Sequence, residues 1–239
     1  MSRLGRRSWV VFAAVMTAAA FAVVVQYRGA FPIIGVFSAS QSDCTLVLDA
    51  GHGGMDGGAV AADGTAEQDI NLSIALRCRE LAELCGVPTV MTREDTQSLR
   101  YDPEKTIRQN KVADIRARAE ITQNTRNPVF VSVHLNKFTD TAYHGAQVFW
   151  SKNNPDGKLL AESIQSSLIA GISDENKRAA KQAVDSIWLM KTLTCPAVIV
   201  ECGFLSNVQE AERLKQDAYQ RRLALCIVSG YLNVLYNSN

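Results

Sequence analysis

Three apolar runs, Thr45–Asp49, Val129–His134 and Ala197–Glu201, constrain this chain more than any other feature. Each reads as a strand buried in a sheet, because short continuous apolar runs bounded by turn signals are what fully covered strands look like. Each run also leads into a residue that packing does not call for. His52 follows the first, His134 ends the second and Glu201 ends the third. Stretches with helical periodicity separate the runs. Strands alternating with helices predict an α/β fold, a single layered domain whose mostly parallel or mixed central sheet is flanked by helices. In such sheets ligands gather beyond the carboxyl ends of the strands, so the three residues can converge on one edge.

The intervening segments fill in this architecture. Ile70, Ile74, Cys78, Leu81 and Cys85 recur at the spacing of one helical face, predicting a helix from about 66 to 85 that Gly86 stops. Residues 87–92 predict a short strand, with Pro88 at its start or on an edge. Residues 94–110 are polar and irregular and predict a surface loop, followed by an arginine-rich helix over 112–124. Residues 145–150 predict another strand, and the Asn154-Pro-Asp-Gly157 turn leads into a helix over 158–170. Asn207 and Glu210 have capping-box spacing. A helical tail follows, with Leu223, Ile227, Tyr231 and Val234 on one face.

The N-terminus is different in kind. Arg3, Arg6 and Arg7 precede an uncharged run from Trp9 to Val25, with Tyr27 and Arg28 behind it. Basic residues ahead of an apolar helix place the N-terminus in the cytoplasm and export the rest. The run suits either an uncleaved membrane anchor, which is favoured, or a cleaved signal with Ser38-Ala-Ser40 as a weak cleavage site. The predicted organisation is therefore a signal or anchor segment over 1–28, a linker over 29–43 and a catalytic domain over 44–239. The formal net charge of +1 offers no basic footprint for nucleic acid. The six cysteines are scattered through apolar runs. Cys78 and Cys85, seven residues apart on one predicted helix, lie roughly 10 Å apart and cannot bridge. Buried small hydrophobes are the better reading of these thiols.

The chemistry centres on the loop Gly51-His-Gly-Gly-Met-Asp-Gly-Gly58. Its glycines let the chain turn sharply around His52. A lone histidine there would read as a loop residue bonded to backbone, His134 alone as a core histidine, and Glu201 alone as a solvated carboxylate. Jointly, with Glu67 opening a helix, they predict two imidazoles and one carboxylate for a catalytic zinc site with an open position for water. Glu201 is then the carboxylate that moves protons without binding the metal. His144 precedes Gly145 in a loop and is expected not to ligate. Asp49, Asp56 and Asp69 are near this site, and Asp49 is expected to orient a ligand histidine. The loop lacks the Gly-Lys-Ser/Thr ending of a phosphate-binding loop, and no GxSxG nucleophile elbow occurs.

These residues carry a resemblance. Leu48-Asp-Ala-Gly-His-Gly-Gly54, Glu67-Gln-Asp-Ile-Asn-Leu72, Met91-Thr-Arg93, Ser132-Val-His-Leu-Asn136 and Val200-Glu-Cys-Gly-Phe-Leu-Ser-Asn207 resemble, in order, the motifs of the type-3 zinc-dependent N-acetylmuramoyl-L-alanine amidases. The resemblance covers the chain from about residue 45 onward. It implies His52, Glu67 and His134 as Zn2+ ligands, Glu201 as the catalytic carboxylate, and Asn136 and Lys191 as substrate contacts. Gln68 stands where that family commonly has lysine, and Lys191 where many members have arginine. Within the family the chain looks most like germination-specific amidases of spore formers. That implies peptidoglycan as substrate and a role in spore cortex maturation. The domain is expected to be exported across the cytoplasmic membrane, anchored or secreted, with the forespore intermembrane space as one destination, and with no wall-binding repeat in the sequence an activating protein partner is expected as an option. The rivals are another zinc wall peptidase, such as a carboxypeptidase, and a non-catalytic wall-binding protein.

Overall fold

The computed structural model describes residues 43–173 and 175–237. The expected N-terminal helix over 1–28 and nearly all of the linker lie outside the described residues. Six strands form one mixed sheet: β1 (Thr45–Ala50), β2 (Thr89–Met91), β3 (Pro128–Asn136), β4 (Gln147–Trp150), β5 (Lys181–Gln182) and β6 (Ala197–Phe204). Their order is β2-β1-β3-β6-β4-β5. β2, β1, β3 and β6 run parallel, β4 is antiparallel to β6, and β5 is parallel to β4. The helices are α1 (Glu67–Leu84), α2 (Ile107–Asn124), α3 (Asp156–Ile172), α4 (Trp188–Thr192), α5 (Val208–Leu214) and α6 (Asp217–Asn237). The predicted α/β class and mixed, mostly parallel sheet are as observed.

Both faces of the sheet are covered, which is why the central strands read as continuous apolar runs. Leu46 and Leu48 of β1, Val131 and Val133 of β3, and Val198 and Val200 of β6 join α1, α3 and α6 in the larger core. The alternate residues Val47, Phe130, Ala197 and Ile199 join Ala119 of α2 and Met190 of α4 in a smaller one. Because side chains alternate across a strand, Asp49, Ser132, His134 and Glu201 fall on the face of the smaller core. Cys78 and Cys202 are fully buried in the larger core.

Three boundaries differ from expectation. α2 begins at Ile107, inside the expected loop, because Thr106 and Gln109 form a reciprocal capping box. β3 and β6 run on past His134 and Glu201 to Asn136 and Phe204. The Asn207–Glu210 box forms only by half. Asn207 accepts from the Glu210 N–H, but the Glu210 carboxylate instead takes the N–H groups of Gly145 and Phe204. The short elements β5 and α4 carry too few residues for a periodic signal.

α6 lies against α3 at close range. A Cβ on Gly230 would come 2.6 Å from the Ile164 Cα, a backbone atom that cannot step aside. Alanine favours a helix over glycine by about 1 kcal/mol. Overpacking costs about 1–3 kcal/mol. Gly230→Ala is therefore expected to be destabilising on balance, read as a lower urea midpoint. A midpoint raised by the substitution would show that the helices part at no cost.

Candidate metal centre

His52 lies two residues beyond β1, in the left-handed region at φ 63°. That backbone is uncommon outside glycine, and two buried arginines hold it. Arg93 donates to the carbonyls of Ala50 at 2.8 Å, Gly51 at 3.0 Å and Gln68 at 2.8 Å. Arg118 donates to the carbonyls of Ala50 and His52 and pairs with Asp49 and Asp114. Three consecutive carbonyls at the strand exit are thus gripped by two guanidiniums. Glycine is required here for closeness as well as for turning. A Cβ on Gly51 would overlap the His134 ring, and one on Gly58 would lie 2.6 Å from Glu67 Oε2.

His134 and Glu201 sit directly opposite each other in the β3–β6 register. They are neighbours through strand pairing, where the sequence placed them together by strand endings. Glu67 is the first residue of α1 and is buried. Its Oε1 accepts from the Leu135 N–H at 2.9 Å and the Asn71 Nδ2 at 3.1 Å, and its Oε2 accepts from the Ala59 N–H at 2.8 Å. His134 Nδ1 lies 3.0 Å and His52 Nε2 3.3 Å from Glu67 Oε1. The donor atoms of His52, Glu67 and His134 all lie within 4.8 Å of one another. All three predicted ligands are therefore brought together.

Other expectations fare differently. Asp49 does not orient a histidine. It is fully buried and accepts from Thr92, Ser132 and Arg118, a site built to balance a guanidinium. Asp56 takes the expected role, with its Oδ2 3.1 Å from His52 Nδ1 and its other oxygen on Lys111 at 2.8 Å. Asp69 is exposed on α1. His144 lies in the loop before β4, with Nδ1 2.8 Å from the Ala142 carbonyl, outside the donor cluster. Asn136 ends β3 and Lys191 lies exposed on α4, and neither side chain lines the cavity in front of the donors.

The electrostatics follow from this layout. Burial opposes charge on Glu67, but hydrogen bonds from His134 and His52 prevail and hold the carboxyl well below its usual range. Burial also opposes charge on His52, yet Asp56 and Glu67 raise it to about 9. Glu201 behaves oppositely. Desolvation, with Glu67 nearby, pushes it up to about 7 against the pull of His134 and His52, and its Oε2 is shut from solvent without a hydrogen-bond partner. Two neighbouring carboxylates thus differ sharply in proton affinity, the arrangement that separates a ligand from a proton carrier.

The sequence reading missed Arg118 as a support, although it stands four residues after Asp114 on a helix. An i,i+4 pair looks the same on a solvated face, so burial was the missing signal. Arg118→Met is expected to cost about 3–5 kcal/mol, because Asp49 and Asp114 are left without their buried partner. Urea unfolding would measure it, and adding Asp49→Asn should recover part of the loss. A cost under about 1 kcal/mol, the range of a surface pair, would mean the network is solvated.

Comparison with known proteins places the chain in a family. Residues 46–233 match the Amidase_3 family, described as N-acetylmuramoyl-L-alanine amidase. The chain is similar to the CwlD amidase from Clostridioides difficile, whose structure is in complex with the GerS lipoprotein. The two share 43% identity at a TM-score of 0.78, over 81% of this chain and 98% of that one. It is 33% identical over 187 residues to the germination-specific N-acetylmuramoyl-L-alanine amidase of Bacillus subtilis, covering 78% of each. The amidase AmiC2 of Nostoc punctiforme shares 26% identity at a TM-score of 0.69, over 82% of this chain and 98% of that one. On the family match and the extent of these likenesses, this chain belongs to the Amidase_3 family of N-acetylmuramoyl-L-alanine amidases.

Proposed function

We propose that this chain is a zinc-dependent peptidoglycan amidase that cleaves the bond between the lactyl group of N-acetylmuramic acid and the L-alanine of the stem peptide. The observation that carries the reading is the grouping of His52, Glu67 and His134 donor atoms within 4.8 Å, with Glu201 paired to His134 in register. Two imidazole nitrogens and one carboxylate oxygen suit zinc as a three-ligand catalytic site. The orphaned Glu201 Oε2 beside them suits a group awaiting a proton.

Zinc held by these three residues would supply water of lowered pKa and a Lewis acid for the amide carbonyl. Glu201 takes a proton from the attacking water and delivers it to the leaving amine nitrogen. Asp56 keeps the His52 ring turned toward the site through Nδ1. Arg93 and Arg118 fix the backbone from which that ring projects. No side chain need form a covalent bond to the substrate.

The finer assignment is to spore cortex maturation, where peptide removal precedes closure of muramic-δ-lactam. Similarity to the germination-specific amidase of Bacillus subtilis supports it. The complex of the Clostridioides difficile relative with a lipoprotein supports an activating partner for this chain too. The arginine-led apolar segment Trp9–Val25 supports export across the membrane, as an anchored or secreted protein reaching the forespore intermembrane space. Among the described residues no helix is long and apolar enough to cross a membrane.

Mass analysis of peptidoglycan digested by zinc-loaded protein tests the reading. Free peptides beginning with L-alanine and glycan bearing bare lactyl groups are expected. Release of a terminal D-alanine alone would mark a carboxypeptidase instead, and a wall left undigested with any required partner present would favour a binding protein.

A further inference from the structure

Asn71 stands one turn after Glu67 on α1 and is fully buried. Its neighbours Ile70, Leu72, Ile74 and Ala75 all belong to the larger core. Asparagine is a poor helix former, and a buried amide costs stability unless it is hydrogen-bonded. Packing alone would favour an apolar residue here. Nδ2 donates to two acceptors, Glu67 Oε1 at 3.1 Å and the Gly51 carbonyl at 3.2 Å. Neither a carbonyl nor an ionised carboxylate can donate, so the nitrogen must face them and Oδ1 must point away. Oδ1 is shut from solvent and meets no donor among the described residues. The side chain thus brings a cost of its own into the core.

The fold does not need these two bonds to satisfy the acceptors. The Gly51 carbonyl also accepts from Arg93 at 3.0 Å, and Glu67 Oε1 from the Leu135 N–H at 2.9 Å. What Asn71 adds is a link. Gly51 immediately precedes His52, and Leu135 immediately follows His134. The run from the Gly51 carbonyl through Asn71 Nδ2 and Glu67 Oε1 to the Leu135 N–H therefore joins the loop, the helix and the strand that carry the three donors. Arg93 and Arg118 grip the backbone around His52, whereas Asn71 holds the side chain of a donor residue itself. A glutamate has rotamer freedom to lose when it ligates. A carboxylate already held in place spends less of the binding free energy on that ordering.

We propose that Asn71 is a positioning residue of the metal centre, whose amide sets Glu67 against the His52 loop before an ion arrives. The proposal rests on the zinc reading above. It gives Asn71 a part in metal affinity and none in the stability of the metal-free fold.

Two variants of the full chain test this without any wall substrate. Asn71→Ala and Asn71→Leu each remove both the donor and the orphaned oxygen. One leaves space and the other fills it, so they err in opposite directions on volume. Both are expected to bind zinc about 10–100-fold more weakly, the scale for a partner behind a ligand. Equilibrium competition against a chelator would measure it. The urea midpoint of the metal-free protein is expected to stay at or above the wild-type value in at least one of the two. Wild-type zinc affinity in either variant overturns the proposal. So does a metal-free midpoint lowered in both, which would make Asn71 a residue of the fold and not of the site. A wild type that takes up no zinc would sink the zinc reading itself, whereas a zinc-binding wild type with unweakened variants would leave that reading standing.

Discussion

Zinc content is expected to collapse when His52, Glu67 or His134 is replaced by alanine, and hydrolysis with it. Among the described residues, each supplies one of the three donor atoms gathered within 4.8 Å. A graded comparison is available in the same site. Asp56 touches His52 through Nδ1, the nitrogen away from Glu67, at 3.1 Å. Losing such an outer partner typically costs about 10–100-fold in metal affinity. Asp56→Asn should fall in that range, and each ligand variant should fall below it. Equilibrium competition against a chelator would measure all four proteins, with far-UV circular dichroism confirming the fold. Retention of full zinc by two of the three ligand variants would overturn the assignment. Protons compete in the same measurement. Asp56 and Glu67 hold His52 protonated up to about pH 9 in the metal-free protein. Zinc must displace that proton, so its affinity should rise with pH across the neutral range.

Most of the fold was legible because it depends on patterns that a linear chain exposes. The strands β1, β3 and β6 are continuous apolar runs, and α1, α3 and α6 carry their buried residues at helical spacing. What stayed hidden depends on partners far away in the chain. α4 has five residues, too few to show a period, yet it walls the cavity because Asn153 and Ser151 hold it there. The start of α2 was lost because a Thr106–Gln109 box inside a polar stretch resembles any loop. The candidate donors His52 and Glu67 stood out for a different reason. A histidine between glycines and a glutamate opening a helix have little to do in a core.

The supports of those donors were legible only in part. Asp49 follows an apolar strand and looks like a partner for a nearby histidine, but its buried oxygens face Arg118, Ser132 and Thr92. Asp56 stands four residues after His52 in an irregular loop, where no periodicity indicates direction. Sequence placed both acids near the site. Only the folded backbone decides which carboxylate faces the ring. The pairing of His134 with Glu201 is likewise a matter of register, and register between β3 and β6 depends on the packing of both sheet faces.

Glu201→Gln should separate binding from chemistry. The amide keeps the size of the carboxyl and its place opposite His134, so the three metal donors are undisturbed and zinc should remain bound at the wild-type level. What is lost is the ability to take a proton from water and pass it to the departing nitrogen. General acid–base groups contribute about 10²–10⁴-fold, and kcat should fall by that factor. The pH profile gives an independent check. A base must be ionised to act, so activity rises with pH as Glu201 loses its proton. Desolvation places that step at about 7 in the metal-free protein. A zinc ion beside it favours the charged form and moves the step downward. The acidic limb of kcat/KM should therefore lie at or below about 7 in the wild type and disappear from the residual activity of the variant. Near-normal turnover in zinc-loaded Glu201→Gln, or an unchanged acidic limb, would place the proton carrier elsewhere. The geometry makes that outcome hard to accommodate, since the other carboxylates lining the cavity are engaged: Asp49 and Asp114 by Arg118, Asp56 by His52 and Lys111. Glu201 alone among them keeps a buried oxygen without a hydrogen-bond partner.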